Sequence, residues 1–251
     1  MAALETWFWV GAAGMVAGTL LPVRDLLRYP THRRYDLVLA GITGFAAVAY
    51  ATMGVGLTET TVTDHTIYVA RYVDWLVTTP LIVAYLAMLA KPPRRTYGWL
   101  LAADVFIIIT GIAAAFTTGT LRWALFAAGA VGYVVLAYGL LGVLSGSLGA
   151  DPDPRVHSLF VTLRNITVVL WTLYPVVWLL GPAGIGILQY EMYTIVVVYL
   201  DFISKVGFVA FAALGADAVD RLVSPPATTA AEPPASMPDP MEPPATTDDD
   251  D

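Results

Sequence analysis

The sequence predicts an all-α membrane protein, a bundle of seven transmembrane helices with its N-terminus outside and its C-terminus inside. Three observations predict this fold class. Hydrophobic residues make up 57% of the chain and charged residues only 13%, whereas a soluble domain carries about 25% charged residues. The apolar residues form seven long stretches, and the arginines and lysines collect on alternate connections between those stretches.

A bilayer span needs about 20 largely apolar residues, and seven stretches of the chain meet this requirement. Polar segments, or segments rich in Gly and Pro such as KPPRR and GPAGIG, separate them and predict short connections. No small-residue cleavage site follows the first stretch, so we expect a span there and not a signal peptide. The predicted spans are residues 4–23, 35–57, 67–90, 97–117, 121–145, 157–181 and 189–219.

The placement of Lys and Arg predicts the orientation, because positively charged residues are enriched on the cytoplasmic side of membrane proteins. One side of the predicted bundle has Arg122 alone. An even number of spans would break this alternation, so the charge pattern also supports the count of seven. The opposite side holds Arg24, Arg28, Arg33, Arg34, Lys91, Arg94, Arg95, Arg155, Arg164 and Arg221.

The acidic residues divide the chain into two predicted parts. Seven of the 20 acidic residues lie in residues 224–251, which contain no Lys or Arg, so residues 1–223 carry 13 acidic and 13 basic residues. We predict a transmembrane domain over residues 1–223 and a disordered, acidic cytoplasmic tail rich in Pro, Ala and Thr over residues 224–251. The neutral body argues against nucleic-acid binding, and the absence of cysteine excludes disulfides, zinc-thiolate sites and thiol nucleophiles.

Five ionisable residues lie inside the predicted spans, where a charge is costly and marks a functional site by default. A structural ion pair that only fixes helix packing is the alternative interpretation. The five residues are Arg71, Asp74, Asp104, Asp201 and Lys205.

Lys205 lies near the middle of the seventh span, too far from either surface for its amine to reach water easily. An amine held away from water is a good nucleophile toward a carbonyl group, with which it forms a Schiff base. A protonated Schiff base needs a carboxylate partner. Asp201 precedes Lys205 by four residues and therefore shares its helix face.

The third span carries a second carboxylate. Arg71, Asp74 and Thr78 have helical spacing and share one face, with Asp74 roughly 12 Å below the outer end of the span. If the spans pack side by side, Asp74 and Asp201 can meet the cations Arg71 and Lys205. The formal charge of that group is zero, which a buried site requires.

The sixth span carries a stripe of aromatic residues. Trp171, Tyr174 and Trp178 fall on one helix face, with Pro175 beside them, and the stripe begins level with Lys205. Such a stripe more often serves packing or lipid contact. Beside a buried charged imine, it predicts a slot for a long, flat polyene.

Three motifs carry a resemblance to a known family. RYVDWLVTTP, LWTLYPVVW and LDFISK resemble the third, sixth and seventh helices of the microbial (type 1) rhodopsins. The resemblance covers all seven spans. Within the family, stretches such as WFWVGAAGM and VVVYLDFISKVGF look like the haloarchaeal photophobic receptors of the sensory rhodopsin II (phoborhodopsin) group.

This resemblance implies a cofactor and a role for each buried charge. Lys205 would carry all-trans retinal as a protonated Schiff base. Asp74 would be the primary counterion and would accept the Schiff-base proton after isomerisation. Asp201 would be the second counterion, and Arg71 the neighbouring cation toward the outside.

The resemblance also implies the walls of a retinal pocket. Asp104 would pair with Thr79 between two helices, and a neutral packing carboxyl is the alternative for Asp104. The implied pocket residues are Tyr50, Trp75, Thr78, Thr79, Ile107, Gly111, Phe126, Gly129, Tyr133, Trp171, Tyr174, Pro175, Trp178 and Ser204.

The same scaffold serves light-driven proton pumps, so the scaffold alone does not decide the function. A pump needs a proton donor on the cytoplasmic side of the Schiff base, and that position is Tyr85 here, eleven residues after Asp74. A phenol, with its ordinary pKa of about 10, is a poor donor at neutral pH, although aromatic packing also explains a tyrosine there. The outer carboxylates of a pump fall on Ala183 and Tyr193, with Glu191 nearby as a partial substitute.

The resemblance further implies a partner, a two-helix transmembrane transducer of the methyl-accepting type on helices six and seven. Tyr199 and Gln189 match transducer-contact positions, and an interfacial aromatic anchor is the alternative for Tyr199. Ser204 and Tyr174 resemble the hydroxyl pair of the receptors. We therefore predict a retinal photoreceptor for negative phototaxis in blue-green light and no enzymatic activity; an outward proton pump is the alternative.

Overall fold

The computed structural model describes residues 2–62, 65–149 and 152–223. Within them, seven helices are long and apolar enough to cross a membrane, which confirms the predicted all-α bundle of seven helices. The predicted tail, residues 224–251, lies outside the described residues. The helices are α1 (Ala2–Arg28), α2 (Arg33–Gly54), α3 (Val69–Ala90), α4 (Arg94–Ala115), α5 (Gly119–Tyr138), α6 (Pro154–Leu180), α7 (Tyr190–Asp201), α8 (Phe208–Leu214) and α9 (Ala216–Val223).

The spans pack side by side in chain order and then close on themselves. Each of α1 to α4 packs against the next helix along the chain, α6 packs against α3 and α7, and α7 packs back against α1. The connections are short, so sequential spans are antiparallel neighbours. We call one end of the bundle the hairpin end; α3 and α7 begin there. The opposite end is the α9 end, where α3 ends and α6 begins.

Two spans contain π-helical segments, which the sequence analysis did not predict. The fifth span continues from α5 through a π segment, Gly139–Leu144, and a 3-10 turn, Ser145–Leu148. In the seventh span, the π segment Phe202–Gly207 joins α7 to α8 and contains Lys205. A π segment adds one residue to a turn and is frequent at functional sites.

The structure differs from the predicted spans in two further places. The second connection, expected to be a plain loop, contains an antiparallel hairpin of β1 (Glu59–Val62) and β2 (His65–Tyr68). Its β-branched residues fit a pleated strand. The seventh span was predicted to continue to residue 219 but ends at Leu214, because the chain turns at Gly215 and begins α9.

Three polar contacts tie α9 to two connections and to the first turn of α6 at the α9 end. The buried His32 ring donates from Nε2 to Asp220 Oδ1 at 2.6 Å, and Arg155 Nη1 lies 3.1 Å from Asp217 Oδ2. Lys91 Nζ donates to the Leu222 carbonyl at 3.4 Å. Ala218 and Val219 are buried below these contacts. The apolar face of α9 therefore covers the end of the bundle, while its polar groups bind two connections and the start of α6.

We expect Asp220→Asn to loosen α9, because the change weakens a charge-assisted hydrogen bond to a buried ring. Hydrogen exchange of the amides of residues 216–223 should become about fivefold faster, as expected from a hydrogen bond of ordinary strength. Asp217→Asn is the matched control. The side chains of Asp217 and its partner Arg155 are 76% and 59% exposed, and exposed ion pairs contribute little to stability. Equal exchange in the two variants would show that His32 does not hold α9.

Candidate functional site

The buried charges predicted in the third and seventh spans meet at the centre of the bundle. The Lys205 side chain is 2% exposed, and its Nζ donates to Asp74 Oδ2. Asp201 Oδ1 lies 3.5 Å from the same Nζ, one helical turn away, as its i,i+4 spacing predicted. Both carboxylate side chains are 0% exposed. Buried charges of this kind are tolerated only when they are paired.

The two carboxylates have unequal surroundings. Asp201 accepts hydrogen bonds from Tyr50 Oη at 2.6 Å, Tyr174 Oη at 2.7 Å and Trp75 Nε1 at 3.0 Å. Asp74 Oδ1 has no hydrogen-bond partner among the described residues. Three donors stabilise the negative charge of Asp201, so Asp74 is the carboxylate with room for a proton.

Thr78 lies beside Asp74 on α3 and interacts with both its side chain and its backbone. Its hydroxyl donates to the backbone carbonyl of Asp74 at 2.8 Å, the usual i−4 bond of a helical threonine. The shared face predicted from the sequence is present, and the hydroxyl serves the backbone of the helix there.

Arg71 makes no direct ion pair with the other charges, although it lies near enough to Asp201 for a Coulombic interaction. Among the described residues it has no carboxylate within 4.0 Å, and its Nε and Nη2 have no hydrogen-bond partner. The guanidinium lies over the rings of Phe8 and Tyr68, at 5.8 and 5.7 Å from their centroids. Burial raises the pKa of Tyr68, which keeps this phenol neutral.

A cavity of about 140 Å³ opens beside Lys205. One water needs about 10–15 Å³, so the space is much larger than a packing defect. Aromatic and aliphatic side chains form most of its wall. Of the implied pocket residues, these line it: Trp75, Thr79, Ile107, Gly111, Phe126, Gly129, Tyr133, Trp171, Tyr174, Pro175, Trp178 and Ser204. Thr78 and Tyr50 do not line it; they hydrogen-bond to Asp74 and Asp201, respectively.

Aromatic rings shape the cavity at both ends. Near Lys205, the rings of Trp75 and Tyr174 meet edge to face, with centroids 5.3 Å apart. Farther along, Phe126 and Trp178 stack at 4.7 Å and 12°. A slot with flat walls and an amine at one end fits a long, flat, apolar molecule that carries an aldehyde. Retinal has this chemistry, so the residues present fit the chromophore that the resemblance implies.

Several lining residues were missed by the sequence analysis. Two stripes would have found most of them. Tyr72 and Ile82 continue the face of Trp75 and Thr79 on α3, and Tyr193 and Val197 continue the face of Asp201 on α7. The others depend on how α4 and α5 are rotated, which one sequence does not reveal. The missed residues are Tyr72, Ile82, Ile108, Ala130, Tyr193 and Val197.

Asp104 occupies the cavity wall between α3 and α4. Its Oδ2 accepts a hydrogen bond from Thr79 Oγ1 at 2.9 Å, and the side chain is buried. Thr79 also donates to the carbonyl of Trp75 at 2.8 Å, so one hydroxyl proton is shared between two acceptors. A carboxyl that keeps its own proton here can donate to Thr79 in return.

Tyr85, Ala183 and Tyr193 occupy the positions expected to distinguish a receptor from a pump. Tyr85 is fully buried against Tyr35 and Phe208, with ring centroids 5.9 and 5.6 Å away, and its hydroxyl has no partner among the described residues. Ala183 offers its carbonyl to Arg122 Nη1 at 2.9 Å. Tyr193 lines the cavity.

The predicted transducer positions lie on α7. Tyr199 is 51% exposed on the bundle surface, with its ring 5.6 Å from that of Trp7. Gln189 is the N-cap residue of α7, and Glu191 lies in the first turn. Tyr199 is thus available to another membrane protein, and Gln189 lies at the hairpin end of the same span.

Known proteins share both the sequence and the fold. Residues 2–219 match the family model described as bacteriorhodopsin-like protein. Sensory rhodopsin-2 of Halobacterium salinarum is 74% identical over 238 residues, which cover 95% of this chain and 98% of that protein. Sensory rhodopsin-2 of Natronomonas pharaonis is 42% identical over 224 residues, covering 88% and 92%. The solved structure of thermophilic rhodopsin from Rubrobacter xylanophilus aligns with a TM-score of 0.84 at 34% identity, covering 88% of this chain and 100% of that chain.

Proposed function

The chain belongs to the bacteriorhodopsin-like protein family, and we propose that its Lys205 carries all-trans retinal as a protonated Schiff base. It is a multi-pass membrane protein and a sensory photoreceptor with a retinal chromophore, and it is not an enzyme. The further proposal is that it signals negative phototaxis, from a membrane in which the N-terminus lies outside. The Lys and Arg distribution supports that orientation.

One observation carries the assignment of the chromophore to Lys205. Its amine is buried at the end of the aromatic cavity and lies beside both Asp74 and Asp201. The other lysine, Lys91, is exposed in a connection. Here Nζ stands for the Schiff-base nitrogen, whose positive charge the two carboxylates would stabilise.

Bound retinal supplies light absorption and an isomerisation that turns the Schiff-base N–H. The chain supplies the proton acceptor. Asp74 has an oxygen without a partner, whereas Asp201 keeps its charge through three donors. We infer that the proton moves to Asp74. Transfer neutralises both partners of the ion pair, which removes an electrostatic constraint between α3 and the seventh span and favours a second packing of the helices.

The signal would pass to a two-helix transmembrane transducer on α6 and α7. The exposed Tyr199 supports this, because it presents an aromatic ring with a polar tip on the surface of α7. Tyr174 and Ser204, whose hydroxyl oxygens lie 3.1 Å apart, join α6 to the π segment that holds Lys205. A change at Lys205 therefore reaches both helices of the proposed docking face directly.

Tyr85 supports sensing over pumping. A buried phenol without a carboxyl partner is a poor source of the proton that restores the Schiff base. We therefore expect flash photolysis of the retinal-reconstituted protein to reveal a deprotonated intermediate that decays more slowly than the roughly microsecond-to-millisecond motions of helices. Decay on the timescale of those motions would favour the pump.

We expect Tyr85→Asp to shorten the life of that intermediate by roughly tenfold or more, because a positioned carboxyl acts as a general acid. Flash photolysis at neutral pH measures the change. Tyr85→Phe is the matched control and should decay as slowly as the unmodified protein. Slower decay in Tyr85→Phe would identify the phenol as the donor and contradict the proposal.

A further inference from the structure

The sixth span has an intrinsic weak point beside the cavity. Pro175 lies inside α6 and has no N–H, so the carbonyl of Trp171 loses its helical hydrogen bond. Proline is a common site of helix bending for this reason. Seven of the 27 residues of α6 are buried, so most of this helix faces away from the protein core.

Tyr133 ties α6 to α5 on the α9 side of that weak point. Its hydroxyl donates to the Val168 carbonyl at 2.7 Å and lies 2.7 Å from Thr172 Oγ1. Thr172 Oγ1 is in turn 2.7 Å from the same carbonyl. The hydroxyl protons of Tyr133 and Thr172 serve these three contacts. In each possible arrangement of the two protons, the Tyr133 hydroxyl donates to an acceptor on α6.

The tied turn is the one that carries Trp171. Val168 and Thr172 flank Trp171 in sequence, and the side chains of Trp171 and Tyr133 both line the cavity. A molecule that fills the cavity and changes shape presses on Trp171. Movement of the α9-side half of α6 then requires the hydroxyl of Tyr133 to leave its acceptors on α6.

We propose that Tyr133 is a positioning residue that holds α6 in its resting packing through this hydroxyl, and so limits the lifetime of the signalling state. The inference rests on the proposed retinal function. In the signalling state, the hydrogen bonds of Tyr133 to α6 are already broken. Removal of the Tyr133 hydroxyl therefore destabilises only the resting packing. Because interhelical hydrogen bonds in membranes are modest, Tyr133→Phe lengthens the life of the deprotonated intermediate by about three- to tenfold.

The test compares Tyr133→Phe with Tyr138→Phe, since Tyr138 lies on the same span but is 70% exposed. Flash photolysis gives the lifetime of the intermediate. Because the chain has no cysteine, spin labels on Leu141→Cys and His157→Cys report the distance between the fifth and sixth spans, before and during illumination. A longer lifetime and a larger fraction of displaced α6 in Tyr133→Phe alone support the proposal. Equal lifetimes and distances in the two variants overturn it.

Thr172→Val provides a second, independent measurement. It leaves Tyr133 able to donate to Val168, so its effect is smaller than that of Tyr133→Phe and non-additive with it, as expected for groups in direct contact. Additive effects in the double variant overturn the proposal. Where Tyr133→Phe forms too little pigment to measure, a Thr172→Val lifetime equal to that of the unmodified protein overturns it. An unmodified protein without visible pigment refutes the proposed function, whereas pigment with equal lifetimes in all variants refutes only the role of Tyr133.

Discussion

Substitution of Lys205 by Ala is expected to abolish the visible pigment completely. The chain has two lysines, and the change removes the amine between Asp74 and Asp201 while leaving the aromatic walls of the cavity in place. Retinal can then enter the cavity but has no buried amine to form an imine. The measurement is the visible absorption of purified protein after addition of all-trans retinal.

Lys91→Arg is the matched control for this prediction. Lys91 lies after α3 with a φ of 50° and contacts the Leu222 carbonyl, and it does not line the cavity. This variant should form the pigment at the level of the unmodified protein. Borohydride reduction followed by peptide mass analysis should locate the retinyl group on the peptide that contains Lys205. A visible pigment in Lys205→Ala, or a label on Lys91, would overturn the assignment.

Much of the site could be predicted because helical periodicity and the cost of charge in a membrane are both local properties of the sequence. Asp201 and Lys205 are four residues apart, and their contact follows from one helix turn. The approach of Asp74 to Lys205 needs two helices to meet at the right depth. The approach of Asp74 to Lys205 could be predicted from the position of each residue along its span.

The parts that could not be predicted depend on contacts between distant segments. The sequence indicated that Arg71 neighbours the carboxylates, but it did not reveal that the guanidinium lies over Phe8 and Tyr68, on α1 and β2. The bonds of Tyr133 to α6 depend on how two helices are rotated about their axes. No spacing within one span contains that information, and the π segment around Lys205 changes the rotation of the seventh span locally.

Asp74→Asn is expected to remove the deprotonated intermediate from the photocycle, because an amide cannot accept the Schiff-base proton. Asp201 is a poor substitute, since Tyr50, Tyr174 and Trp75 already stabilise its charge. We expect the amplitude of the intermediate in flash photolysis to fall by about tenfold or more, the usual effect of removing a positioned acid or base.

The absorption of the resting pigment provides a second readout of the same variant. The negative charge of Asp74 stabilises a cation centred on the Lys205 nitrogen, and light moves that positive charge away along the polyene. Without Asp74, the resting state loses more stabilisation than the excited state, so absorption should shift to longer wavelength. Asp104→Asn is the control, because it makes the same chemical change at a buried carboxyl that contacts Thr79 and not Lys205. It should keep the intermediate. A full-amplitude intermediate in Asp74→Asn would mean that Asp201 accepts the proton, and the unequal hydrogen bonding of the two carboxylates would then have been misinterpreted.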